Sequence, residues 1–315
     1  MINLNQLRAF YQAAKHMNFS TAAKTLYITQ PAVTAHLKLF EDYLELKLFK
    51  KKNGKLYLTE EGKTIYEYSQ KLFQYEKEVE GVIEEIKQLK RGTLRLGTAR
   101  TYARYCTPFL ISHFHDSYPK IKIEIDEGSS RDMIQSLLEF KNELAVVAKS
   151  KEPKDICFFP FSREELILIL SPSHPLANQK TITFRQLADE PVIMKEAGSG
   201  TRRLVNELFA ANGCAPKILM EMSNAEMIKL LVQHGEGISF LIKGAVDREL
   251  AEKKLATVPV EGQKLFLDVG ICYLKNQPLS TPAQTFLDNL KTLKKENVCF
   301  QEIGLLLEKI PVKRE

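Results

Sequence analysis

Apolar positions in the first sixty residues fall at two spacings. Ala22, Ala23 and Leu26 share one side of a short helix, and Val33, Leu37, Phe40 and Leu44 recur every three or four residues along a second. Ser20 is the expected cap of the first helix. Thr29 is the expected cap of the second, with Pro31 in its opening turn, where the fixed φ and missing N–H cost nothing. The pattern predicts two helices joined by a tight turn, with Gln30, Pro31, Thr34, Ala35 and Lys38 facing outward. The spacing then changes. Leu46 to Phe49 and Leu56 to Thr59 flank Lys50-Lys51-Lys52-Asn53-Gly54-Lys55, and an Asn-Gly pair between apolar runs predicts a hairpin.

A helical stripe follows: Ile65, Tyr68, Leu72, Tyr75, Val79, Val82, Ile86 and Leu89 form a seam of about four heptads, long enough to pair with a second helix. Packing on its own domain is the commoner fate of such a stripe, but a helix that connects two domains and keeps its phase to the end favours dimerisation. Beyond Gly92 short apolar runs alternate with helical stretches. Strands are predicted over 93–96, 121–125, 144–147, 166–170, 217–220, 238–241 and 265–274, with a closing helix over 282–293. This is an α/β organisation.

Charge is unevenly spread along the 315 residues. The whole chain carries +6, yet nine basic side chains stand against five acidic ones through Gly62, and four of the nine sit at the hairpin tip. A cationic hairpin beside an exposed helix of small polar side chains suits duplex DNA: amides and hydroxyls reach base edges while lysines meet phosphates. The candidate DNA-binding residues are Ser20, Gln30, Pro31, Thr34, Ala35, Lys38, Lys50, Lys51, Lys52 and Lys55. A helical hairpin whose polar face meets only water is the alternative for the helix pair taken alone; the basic hairpin shifts the balance toward DNA.

Other chemistry is thinly represented. The five cysteines are far apart with no C-x-x-C pair, which argues against structural zinc and for buried reduced thiols, although a thiol near Arg104 is a conceivable redox sensor. The histidines show no triad or metal spacing, and no Walker loop or dinucleotide fingerprint occurs, so neither catalysis nor a cofactor is expected. The N-terminus has no signal-peptide pattern and no apolar run approaches membrane-spanning length, which predicts a cytoplasmic, soluble protein.

Read in order, Asn3 to Phe10, Phe19 to Glu41, Leu48-Phe49 and Leu58 to Gly62 closely resemble the LysR-type transcriptional regulators. Ala35 stands where the family often has Arg or another large polar residue, and lysines replace arginines near the hairpin. Phosphate contact survives that exchange, but bidentate reading of guanine at those positions does not. The resemblance continues through Ser173 to Ala177, Leu187 to Ile193, Gly198 to Arg202 and His234 to Ile238, with Ala145 where an acidic residue is common.

It implies a winged helix-turn-helix over 1–62, a dimerising linker helix over 63–91, and a two-lobed Rossmann-like effector domain similar to periplasmic binding proteins. Lobe I would be 92–163 plus 264–297 and lobe II 164–263, with two strand crossovers; the tail 298–315 has no assigned role. The implied partners are promoter or operator DNA, a small effector, and further copies of the chain as a homodimer or homotetramer. RNA polymerase is a further candidate.

Small molecules settle where helices begin at the carboxyl edges of parallel strands. The strongest segment is 196–202, where two glycines allow close approach, Ser199 and Thr201 supply hydroxyls, and a helix start offers free amides. A glycine-rich turn that caps itself is the bland alternative. Across from it, 97–101 and 128–131 are similar junctions, and Arg100, Arg104, Arg131 and Arg202 together point to an anion. The candidate effector residues are Thr98, Arg100, Thr101, Ser129, Ser199, Gly200, Thr201, Arg202 and Asn224, the last equally suited to capping its own helix. Two rivals are a metabolite-binding enzyme and a solute-binding carrier.

Overall fold

The computed structural model describes residues 1–150, 153–261 and 264–295, so Cys299 and the 298–315 tail lie outside the described residues. The chain divides into two compact units, Met1–Glu85 and Ile86–Glu315.

In the first unit, α1 (Leu4–His16) is capped by the Asn3 side chain, which accepts from the amides of Asn5 and Gln6. The next helix, α2 (Phe19–Thr25), is capped by Asn18, whose Oδ1 accepts from Thr21 N at 2.9 Å. Ser20, the expected cap, instead lies inside the helix; Asn and Ser are equally good caps, and Asn18 is placed to end the turn after left-handed Met17. Thr29 caps α3 (Gln30–Leu44) as expected, with Pro31 in its first turn. Phe10, Val33, Leu37, Phe40 and Leu48 close the core, with the Phe10 and Phe40 ring centroids 6.0 Å apart.

The hairpin pairs β1 (Phe49–Lys52) with β2 (Lys55–Leu58) around Asn53 and Gly54, both at positive φ as a two-residue primed turn requires. The long helix α4 (Glu60–Lys87) has two apolar stripes. Tyr66 and Phe73 meet Tyr11, and Arg8 pairs with Glu76 at 2.6 Å, so that stripe covers the small core. Tyr68, Leu72, Tyr75, Val79 and Ile86 stay exposed. The expected seam is shorter at its end: the helix stops at Lys87, and Leu89 takes a left-handed φ and packs on the core of the second unit.

The second unit is α/β. Its elements in order are β3 (Thr93–Ala99), α5 (Arg100–Tyr105), α6 (Thr107–Ser117), β4 (Lys122–Gly128), α7 (Ser130–Leu138), β5 (Leu144–Ala148), β6 (Ile156–Ile169), α8 (Phe184–Ala188), β7 (Pro191–Lys195), α9 (Gly200–Ala211), β8 (Lys217–Met222), α10 (Ala225–Gln233), β9 (Ser239–Ile242), α11 (Asp247–Ala251), β10 (Leu265–Leu274) and α12 (Thr281–Lys295). One sheet runs β4-β3-β5-β10-β6-β9, and β7 pairs β8 in parallel. A bridge between Val192 and Ile238 sets β7 beside the start of β9.

The two long strands β6 and β10 pair along their length, interrupted by a bulge at Val269/Gly270. Only the far end of β6 pairs β9, so these strands cross from one lobe to the other. Phe114, Tyr118 and Phe286 fill lobe I, and Phe184, Phe209 and Phe240 fill lobe II. The first strand is longer than its alternation predicts: Gly97, Thr98 and Ala99 belong to β3.

Candidate nucleic-acid interface and interlobe cavities

Gln30, Pro31, Thr34, Ala35 and Lys38 are all exposed on α3, as is Ser20 on the helix before it. Ser20 Oγ donates to Gln30 Oε1 at 2.9 Å, which leaves the Gln30 amide nitrogen outward, and Thr34 Oγ1 donates to the Gln30 carbonyl at 3.1 Å. With Pro31 and Ala35 between them, this edge is short-sided enough for the helix to enter a major groove.

The hairpin register sorts the lysines. Lys51 pairs with Leu56 and shares a face with Phe49 and Leu58, whereas Lys52 lies opposite Lys55 and Lys50 opposite Tyr57. Successive strand side chains alternate, so Lys50, Lys52 and Lys55 form one outward face. All four lysines are exposed.

In the second unit the two lobes touch across the expected cleft. The loop before α9 crosses to the start of α7: Arg131 N donates to the Gly198 carbonyl at 3.3 Å, and Gly198, at φ +89°, sits so close that a Cβ would lie 2.6 Å from Ser129 Oγ. Thr98, Ser129 and Thr201 are buried along this closure. Thr98 Oγ1 shares a 2.8 Å hydrogen bond with Thr107 Oγ1, and Ser129 forms a capping box with Asp132. Thr101 is half-buried and lines neither of the cavities on the two sides.

On one side a cavity of 710 Å³ is lined by Ser130, Arg131, Ser150, Ser199, Gly200 and Arg203, among others. It is lined by Ser199 and Gly200 at the N-terminus of the twelve-residue α9, where Ser199 makes no side-chain cap bond to the first amides. Ser130 and Ser199 are 7% exposed. Arg202 also lines this cavity, but its guanidinium is held bidentately by Glu221 at 2.6 and 2.7 Å, while Arg131 is exposed and in no ion pair among the described residues.

The other side holds a 410 Å³ cavity lined by Arg100, Arg104, Glu127, Lys195, Asn224 and Glu226, among others. Arg100 lies 3.3 Å from Glu196 Oε1, and Lys195 Nζ lies 3.3 Å from Glu196 Oε2 and donates to the Ser223 carbonyl. Lys195 is 2% exposed, and burial pulls its ammonium below the ordinary lysine range while Glu196 opposes the shift. Arg104 and the Tyr105 hydroxyl both reach Glu226 Oε1, at 2.8 and 3.1 Å. Asn224 is the cap of α10, accepting from Glu226 N and Met227 N, so its carbonyl oxygen is already engaged.

Lys195 and Tyr105 were not singled out by sequence, and Glu196 entered only as the first residue of the segment 196–202, with no role of its own. One signal was present: a lysine ending the apolar run Val192-Ile193-Met194 sits where a buried strand continues. The thiol nearest Arg104 is Cys106, and burial pushes it up, away from the thiolate a redox sensor needs. Among the described residues no group of three or more His, Cys, Asp or Glu side chains could hold a metal, and no helix is long and apolar enough to cross a membrane.

A basic winged helix on one unit and a two-lobed α/β ligand fold on the other define a ligand-responsive DNA-binding regulator. The chain belongs to the LysR family: residues 4–63 match the bacterial regulatory helix-turn-helix protein, lysR family, and residues 87–294 match the LysR substrate binding domain. It is similar to the HTH-type transcriptional activator CmpR of Synechocystis, at 35% identity over 91% of this chain and 94% of that one. A full-length OxyR variant from Pseudomonas aeruginosa shares the fold at a TM-score of 0.76, with 22% identity over 92% of this chain and 100% of that one. The regulatory domain of CcmR from Synechocystis PCC6803, in complex with 2-PG, matches at a TM-score of 0.60 and 29% identity over 65% of this chain and 98% of that one. The protein is therefore a transcriptional regulator with a winged helix-turn-helix and a two-lobed effector domain.

Proposed function

We propose that this regulator reads its operator with Gln30, Pro31, Thr34 and Ala35, aided by Ser20 and Lys38, holds phosphates with Lys50, Lys51, Lys52 and Lys55, and responds to a small anionic effector. The effector sits at the N-terminus of α9, on Ser199, Gly200 and Thr201, with Arg131 facing it. The uncapped α9 terminus beside two buried hydroxyls carries this reading. The similarity to a regulatory domain in complex with 2-PG supports it. Thr98, Thr101, Ser129 and Arg202 frame the closure between the lobes. The chain works in the cytoplasm as a homodimer or homotetramer joined through the exposed stripe of α4, contacts RNA polymerase, and has no catalytic step. The lobes over 92–163 plus 264–297 and over 164–263 move as the units of the response.

The effector must prefer one arrangement of the lobes, since equal affinity for two arrangements shifts nothing. The test is a footprint on the adjoining promoter with and without 2-PG. Wild type is expected to change its footprint. Ser199→Val should abolish the change while leaving basal binding intact, and Gln30→Ala should cost about 1–3 kcal/mol on the preferred operator and almost nothing on unrelated duplex. Equal loss on all sequences refutes Gln30 as a base reader, and an unaltered response in Ser199→Val refutes the α9 site.

A further inference from the structure

Strand β6 lies between β9 and β10, and Leu166 pairs with Ile242 on one side and Leu265 on the other. Beyond that point the flank of β6 is incompletely covered. Ala256 bridges Leu170 just past the strand, but Val260 bridges Ile182 instead, so the chain between them swings away and leaves a gap. The gap is a cavity of 300 Å³ that shares no residue with either interlobe cavity. Leu166, Leu168, Val258 and Leu265 form its floor, each at most 6% exposed, and Leu250 of α11 and Val260 form its walls. Apolar atoms that border an empty gap lack dispersion partners on that side, so a guest that covers them is favoured.

The mouth of the groove is cationic. Lys243, which follows β9, is exposed and has no hydrogen bond or ion pair among the described residues. Lys264 is exposed as well, and it stands 3.7 Å from Glu165, the one acidic side chain among the described residues that line the groove. Two lysines against one glutamate leave net positive charge above an apolar floor. A strongly polar guest would leave the floor uncovered, and a pure hydrocarbon would leave Lys243 unanswered, so the guest that suits both has an apolar body and one anionic end. At the packing density of protein interiors, about 0.74, the volume holds a guest of about ten non-hydrogen atoms.

We propose that this groove binds a medium-chain monocarboxylate, with the chain lying on Leu166, Leu168, Val258 and Leu265 and the carboxylate between Lys243 and Lys264. The apolar floor supplies the affinity, and the two lysines select the anionic head and set the direction in which the chain enters.

Calorimetric titration of octanoate into the full chain tests it, with octan-1-ol as the uncharged probe of the same length. Octanoate is expected to bind about threefold to fivefold more tightly than octanol, the scale of an exposed charge pair. Lys243→Gln should remove most of that preference without weakening octanol. Val260→Trp fills the groove and should weaken both probes at least tenfold, whereas Ser199→Val should change neither. Lys243→Gln, a change at an exposed side chain, decides the matter if Val260→Trp does not fold. Equal affinity of the two probes for wild type, unaltered octanoate binding in Lys243→Gln and Val260→Trp, or no octanoate bound at all overturns the proposal. Loss of octanoate in Ser199→Val would move the probe to the α9 terminus, and binding seen only in a chain cut after Lys295 would give the groove to residues 296–315; either result also overturns it.

Discussion

The hairpin lysines give the sharpest quantitative expectation. Register places Lys50, Lys52 and Lys55 on one face and Lys51 on the other with Leu56. If the outward face tracks the phosphate backbone, each of its three lysines displaces one condensed counter-ion, and each contributes about 0.9 to the slope of log K against log salt. Replacing all three by Gln should flatten the slope by about 2.7 for each winged helix engaged. At about 0.15 M salt that corresponds to roughly two orders of magnitude in affinity, or about 3 kcal/mol. Lys51→Gln should cost no more than one contact. Fluorescence anisotropy with a labelled duplex, titrated over a range of KCl concentrations, measures both slopes, and the loss should be the same on operator and unrelated DNA because phosphates carry no sequence. A triple variant with the wild-type slope, or a Lys51→Gln slope as shallow as the triple, would refute the assignment of faces.

Two further expectations follow from the first unit. Glu41 ties the end of α3 to the hairpin, accepting from Leu48 N at 2.8 Å, Phe49 N at 3.3 Å and Lys47 Nζ at 2.9 Å. Burial alone would raise its carboxyl, but Lys47 and the two amides outweigh burial and hold it below the ordinary carboxylate range. A carboxyl lowered on folding contributes stability that is full above its unfolded value and fades as pH falls through the folded one. Glu41→Gln should therefore cost about 1–3 kcal/mol at neutral pH and progressively less below about pH 4, read by thermal melts across pH, and a pH-independent difference would contradict this. On α4, Tyr75 and Val79 are 67% and 57% exposed in the unpartnered stripe. Tyr75→Lys with Val79→Lys should shift the sedimenting species toward monomer without lowering the melting temperature of the winged helix, and an unchanged mass would remove this stripe from the assembly.

What the sequence revealed and what it hid divide along the range of the interactions. The helix pair and hairpin are written in neighbouring residues: Thr29 and Pro31 start α3, and Asn53-Gly54 supplies two positive φ values that few other pairs tolerate. The strands of the second unit are legible for the same reason, since Leu144 to Ala148 is buried throughout and reads as an unbroken apolar run. Local pattern is weaker where two good options compete, as at Asn18 and Ser20, and at the end of α4. There Leu89 keeps the heptad phase in sequence but is drawn to the core of the second unit.

The contact across the cleft had no local signal at all, because it depends on Gly198 meeting Ser129 and Arg131 from the opposite lobe. Sequence gathered the arginines at the junctions into one anion site, but their partners separate them. Arg202 is held by Glu221, Arg104 by Glu226, and Arg100 stands 96 residues from Glu196 in the chain. A count of cations near a cleft thus overstates the charge a ligand meets, since what matters is how well each is already paired. By that measure Arg131, exposed and in no ion pair among the described residues, offers an incoming anion a less compensated charge than Arg202 or Arg104 does.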